Sequence, residues 1–163
     1  MSKDVEECAK AHVDRHCVKM IVEYSQLLST AHRVLDGMEY TDTSSGRAIK
    51  RWKLRGDLEY ALYKATHVNH PSAVWVRQSE ANYRWLVSLL SELCKEYTYR
   101  YGKVHKCKSS GLVYLLYINS PRNIADKPFT EPTPAMPEWY IVEGNSLESY
   151  REYYRKAKRK LFS

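Results

Sequence analysis

Ala11-His-Val-Asp-Arg-His-Cys-Val-Lys-Met-Ile-Val-Glu-Tyr-Ser-Gln-Leu-Leu-Ser-Thr-Ala-His-Arg-Val-Leu35 is the stretch on which the fold turns. At roughly 100° per residue, Val13, Cys17, Met20, Tyr24, Leu27, Leu28, Ala31, Val34 and Leu35 gather on one arc. That spacing predicts an amphipathic helix from about Val5 to Leu35, with Asp36-Gly37 as its stop. Glu23 and His16 fall on the edge of the arc, between core and surface. A carboxylate at such an edge is partly desolvated, a setting that suits proton transfer. The plainer reading is a surface glutamate paired with Lys19, one turn earlier.

Downstream, Thr41-Asp-Thr-Ser-Ser-Gly46 reads as a turn-rich loop, followed by a short basic stretch, Arg47 to Arg55, containing Trp52. Residues 57–64 add a helical turn. A second long helix is predicted from Asn69-His-Pro-Ser72 to about Tyr99, stopped by Gly102. Its core face carries Trp75, Tyr83, Leu86, Leu89, Leu90, Leu93 and Tyr97. Lys103 to Lys108 is a basic loop, and Leu112 to Ile118 fits either a buried strand or a short core helix. Pro121 to Pro137 holds five prolines and reads as an irregular, packed connection. Asn145-Ser-Leu-Glu148 resembles a capping box that opens a last helix, Ser146 to about Lys160. The expected fold is mainly α: a single compact domain over residues 1–163, with two long packed helices, a basic C-terminal helix and an irregular Pro-rich connection.

Composition narrows the function classes. The 163 residues carry a formal charge of +7 and a pI near 9.2, which favours an anionic partner. Five cations and no acids fall in residues 46–55, four and none in 100–108, and six against two in 145–163. Cys8, Cys17, Cys94 and Cys107 show no C-x-x-C spacing, and Cys17 and Cys94 fall on apolar helix faces, which suits free thiols in a reducing cytoplasm. No signal peptide or membrane-spanning helix is expected. G-x-G-x-x-G, P-loop and G-x-S-x-G patterns are absent, so nucleotide-cofactor and serine-hydrolase chemistry lacks local support, and no cofactor is expected. His12 and His16 have a metal-sharing spacing, but no HExxH motif or third ligand accompanies them, so no metal is expected. Fourteen tyrosines and four tryptophans interleave with cations in Tyr97-Thr-Tyr-Arg-Tyr-Gly-Lys103 and Tyr150-Arg-Glu-Tyr-Tyr-Arg-Lys156. Cations that meet phosphates beside rings that stack on bases suit a protein handling an unstacked nucleotide.

Met1-Ser2-Lys3, Asp14-Arg15-His16 and Glu23 resemble the opening of the phage pyrimidine-dimer DNA glycosylases of the endonuclease V type. The tail, with Glu138-Trp-Tyr140 and Tyr150-Arg-Glu-Tyr-Tyr154, is similar to that family's aromatic, basic end. A closer likeness, covering most of the chain, to phage-encoded proteins of largely unassigned activity rests on Asp14-Arg-His-Cys-Val-Lys-Met20, Ser29-Thr-Ala-His-Arg-Val-Leu-Asp-Gly37, Asn69-His-Pro-Ser-Ala-Val-Trp75, Ala81-Asn-Tyr-Arg-Trp85 and Glu96-Tyr-Thr-Tyr-Arg-Tyr-Gly-Lys103. The glycosylase likeness implies an amine nucleophile at the sugar C1′, here the α-amine of Ser2, with Glu23 as acid–base partner and Lys3 on a flanking phosphate. Val22, Tyr24 and Gln26 depart from that family's arginines, so dimer specificity does not carry over. The closer relatives begin further upstream, which makes Lys19 the alternative amine.

The sequence therefore leads to a phage DNA glycosylase-like enzyme that flips a modified or damaged pyrimidine into a pocket at Glu23 and His16, acting on double-stranded DNA in the host cytoplasm. Its expected DNA contacts are Lys3, Arg15, Arg47, Lys50, Arg51, Trp52, Lys53, Arg55, Tyr99, Tyr101, Lys103, Lys106, Arg155 and Lys158. Two alternatives stand beside it. One is an enzyme that replaces an activated group on a hypermodified thymidine. The other is a non-enzymatic basic phage protein that binds nucleic acid or an acidic host protein.

Overall fold

The computed structural model describes residues 14–133, with side chains from Cys17 onward. Helix α1 spans Asp14–Asp36, strands β1 and β2 span Met38–Asp42 and Ile49–Lys53, and helix α2 spans Asp57–Ala61. Helices α3 (Pro71–Val76), α4 (Glu80–Tyr101), α5 (Lys106–Ser109) and α6 (Leu112–Ile118) follow. This corrects the expected mainly α architecture of two long packed helices. The described residues combine six helices, only three of them seven residues or longer, with a two-stranded antiparallel sheet. The stretch read as loop and basic segment is that sheet, with Met38 opposite Lys53 and Asp42 opposite Ile49. The last helix predicted, Ser146 to Lys160, lies outside the described residues.

The second predicted helix is also divided. Arg77 leaves helical geometry at the end of α3, and Ser79 turns extended to cap α4, its hydroxyl accepting the Asn82 N–H at 3.1 Å. Asn82 holds the break: its side-chain amide donates to the Trp75 carbonyl and the Thr130 hydroxyl, while its Oδ1 accepts the Thr130 N–H. Those bonds also pack the first part of the Pro-rich connection, where Phe129 sits edge-on to Trp75. Leu112–Ile118 is the short core helix of the two alternatives.

The core lies between α1 and α4, which run antiparallel: the Cys17 thiol meets the Leu93 carbonyl, and His32 meets Tyr83. All seven residues expected on the inner face of the second helix are buried. On α1 the buried arc is rotated from the expected one. Ile21, His32 and Arg33 are inside, whereas Leu27, Val34 and Leu35 are half-buried.

Arg33 explains that rotation. Its five N–H groups reach five acceptors: the carbonyls of Trp52, Glu59, Leu62 and Tyr63 and the Glu59 carboxylate. One buried guanidinium, fully satisfied, thus ties β2 and α2 to α1. Gly37 completes the hinge, since a Cβ there would stand 2.9 Å from the Trp52 Cβ. Among the described residues, no helix is long and apolar enough to cross a membrane.

Candidate active-site cleft

A cleft of about 340 Å³ opens along α1, lined by Lys19, Met20, Glu23, Tyr24, Gln26 and Leu27 on one side. Thr66, His67, His70 and Ser72 form the other. That second wall is laid against the helix by hydrogen bonds. Arg33 grips the carbonyls of Leu62 and Tyr63, and the Thr30 hydroxyl both donates to the Thr66 carbonyl and accepts the Thr66 N–H. His67 then takes a left-handed backbone (φ 49°), unusual for a residue with a Cβ, and a turn closes from the His70 N–H to its carbonyl at 2.9 Å.

His70 has a defined tautomer. Its Nδ1 accepts the Ser72 N–H at 3.1 Å as the cap of α3, so that nitrogen carries no proton and Nε2 is the ring's N–H. Glu23 and Lys19 stand on the opposite wall, their Oε1 and Nζ 3.6 Å apart and both side chains partly exposed, at 39% and 58%. The plain helix pair read from the sequence is thus present, and it lies in a cleft. The floor is apolar, with Met20 and Tyr24 almost fully buried, while the rim carries one carboxylate among several donors. An apolar floor with convergent polar groups accommodates a small ligand. Among the described residues, no group of three or more His, Cys, Asp or Glu is placed to hold a metal ion.

The other expected site residues are distributed over the molecule. Ser2, Lys3, Arg155 and Lys158 lie outside the described residues, as do the side chains of Arg15 and His16. On the hairpin, Lys50 pairs with Glu39 at 3.4 Å, and Arg51 pairs with Asp42 at 3.8 Å while also donating to the Ala65 carbonyl. Arg47, Lys53 and Arg55 are exposed, and Trp52 is half-buried against Gly37. Tyr99 is 85% exposed, Tyr101 packs on Tyr97, and Lys103 and Lys106 are exposed. Tyr99 and Tyr101 lie at the C-terminal end of α4, which runs toward the start of α1, whereas the hairpin leaves the far end of α1 at Gly37; α1 is about 35 Å long at 1.5 Å per residue. Next to Lys106, the Cys107 thiol lies 3.6 Å from the Tyr63 hydroxyl.

His67, His70, Gln26 and Thr66 were not among the expected site residues. The sequence offered one signal for them, the two histidines bracketing Asn69 ahead of Pro71, which reads first as a helix start. Comparison with protein-family models, with curated proteins and with solved structures finds no match for this chain.

Proposed function

We propose that the chain is a DNA glycosylase-like enzyme that receives an unstacked, modified or damaged pyrimidine nucleotide in the α1 cleft, with Lys19 as nucleophile and Glu23 as its acid–base partner. The observation that carries this reading is the 3.6 Å approach of an amine and a carboxylate at the mouth of a cleft with an apolar floor. The sequence likeness to the glycosylases supports the same Glu23 by a separate route.

The chemistry follows from these two groups. Glu23 takes a proton from the Lys19 ammonium, and the free amine attacks C1′ as the glycosidic bond breaks. The departing base takes the proton that Glu23 now holds. Glu23 next accepts a proton from the new C1′–N group and passes it to the ring oxygen. The sugar opens to a protonated imine on Lys19, which water hydrolyses to free the enzyme. The rim donors, including the Nε2–H of His70, suit the carbonyl oxygens that pyrimidines carry.

As an exposed helix pair, Lys19–Glu23 contributes only about 0.3–0.5 kcal/mol to folding. Glu23→Gln therefore leaves the melting temperature and DNA affinity nearly unchanged, and it lowers formation of the borohydride-reduced Lys19 adduct on abasic duplex DNA by about 10²–10⁴-fold in rate. Unfolding of this variant, or full activity in it, would overturn the assignment.

A further inference from the structure

We infer that the β1–β2 hairpin is a ribbon that enters the major groove of B-form DNA and holds a duplex beside the cleft. Delivery of a base to the cleft rests on the function proposed above, whereas docking of the duplex by the hairpin stands on separate observations.

Shape is the first of these. Strands of five residues span about 17 Å, and two strands lie about 4.8 Å apart before side chains are added. A ribbon of that width matches a major groove about 12 Å across and is too broad for the minor groove, about 6 Å. The tip is slender, because Thr43-Ser-Ser-Gly46 offers only small side chains, and residues 43–48 are all exposed.

Charge is the second. From Met38 to Arg55 the hairpin and its foot hold five cations against two carboxylates, and each carboxylate is matched within the hairpin, Glu39 by Lys50 and Asp42 by Arg51. Arg47 at the tip and Lys53 and Arg55 at the foot are exposed with no ion pair among the described residues, so residues 38–55 keep three uncompensated cations, at the tip and the foot. A polyanion with closely spaced phosphates complements that charge.

Anchorage is the third. A two-stranded hairpin exposed along most of its length is marginal by itself. This one is fixed at its root by the Arg33–Trp52 bond and the close approach at Gly37. Arg51 fixes it again to the Ala65 carbonyl, one residue before the cleft wall at Thr66 and His67. A duplex seated on the hairpin thus lies next to the cleft.

The test is fluorescence anisotropy of the intact chain on a 20-base-pair duplex across a salt series, with the triple variant Arg47→Ala/Lys53→Ala/Arg55→Ala beside the native protein. These side chains are exposed, so the variant keeps the native circular dichroism and melting point. The inference predicts a loss of affinity of 10-fold or more at low salt and a log–log salt slope shallower by about 2.7, near 0.9 for each lost phosphate contact. It also predicts at least 10-fold weaker binding to duplex RNA of the same sequence, whose major groove is deep and narrow. Methyl green, a major-groove ligand, displaces the protein and distamycin does not. An unchanged salt slope, equal affinity for the RNA duplex, or displacement by distamycin alone overturns the inference. Borohydride trapping run on the same samples reports on the cleft separately: native protein that docks duplex but never traps sinks the enzymatic reading and leaves the hairpin in place.

Discussion

His32 meets the Tyr83 hydroxyl at 2.7 Å, and that hydroxyl donates onward to the carbonyls of Leu116 and Asn119. With its own hydrogen committed, the Tyr83 oxygen accepts, so His32 donates from Nε2. Burial lowers the His32 pKa from 6.5 to about 4, outweighing the charge of Asp36 and the Asn119 carbonyl, which raise it. The unfolded chain takes up a proton near pH 6.5 that the folded chain refuses until about pH 4. Stability contributed by neutral His32 is therefore full above 6.5 and declines toward 4, by about 3 kcal/mol for a shift of this size. Urea midpoints measured through that window should fall with acid in the native protein, and His32→Gln, which keeps a donor but does not titrate, should flatten the decline. An identical decline in the variant would contradict the assignment. Glu59 acts in a lower window: burial raises its carboxyl, but hydrogen bonds from Arg33 and the Leu54 N–H, with the charges of Arg33 and Lys53, hold it below its ordinary value. Its contribution is present above about pH 4.5 and is lost as the pH drops further. Neither His32 nor Arg33 was legible as interior from periodicity, which assigns polar side chains to solvent. Their acceptors lie some 20–50 residues downstream and appear only once the chain has closed.

At the scale of elements, the inner face of α4 was readable because apolar residues at helical spacing have one place to go. The break before it was less so. Ser79 is a good cap, but Asn82 and Thr130, which stabilise the interruption, are 48 residues apart. The hairpin was missed for a different reason. Met38 to Asp42 and Ile49 to Lys53 flank a Ser-Gly turn, a pattern that favours a hairpin, yet their cations and exposed faces removed the apolar alternation that marks a half-buried strand. Arg33 holds this element to the body, so Arg33→Lys is the informative change. Lysine brings three donors where five acceptors wait, and it leaves carbonyls of Trp52, Leu62 or Tyr63 unmet in the interior. A loss of about 2–4 kcal/mol is expected in urea unfolding, with backbone amides of β1 and β2 exchanging ahead of those in α4. A midpoint unchanged from the native protein would show that the clamp is not what fixes the hairpin.

The molecule as a whole places its amine–carboxylate pair midway along α1, with the histidine-bearing wall on one side and the hairpin tied to that wall through Arg51 and Ala65. Glu23 and Lys19 were legible in the sequence because both sit on one edge of one helix, a relation set by local spacing. The facing wall was not, because residues 62–70 are laid against α1 by the long-range bonds of Arg33 and Thr30. The segments at Tyr99 to Lys106 and at the hairpin looked alike by composition, and the antiparallel course of α1 and α4 places Tyr99 and Tyr101 at the other end of that pair from the hairpin. Whether Lys19 forms a covalent bond to sugar decides the proposed function most directly. Incubation of the intact chain with abasic duplex DNA and sodium borohydride, followed by proteolysis and mass spectrometry, reads this out. A reduced adduct is expected on the peptide containing Lys19, absent in Lys19→Ala and strongly diminished in Glu23→Gln. An adduct confined to another amine, or none from a protein that binds the same DNA, would contradict it.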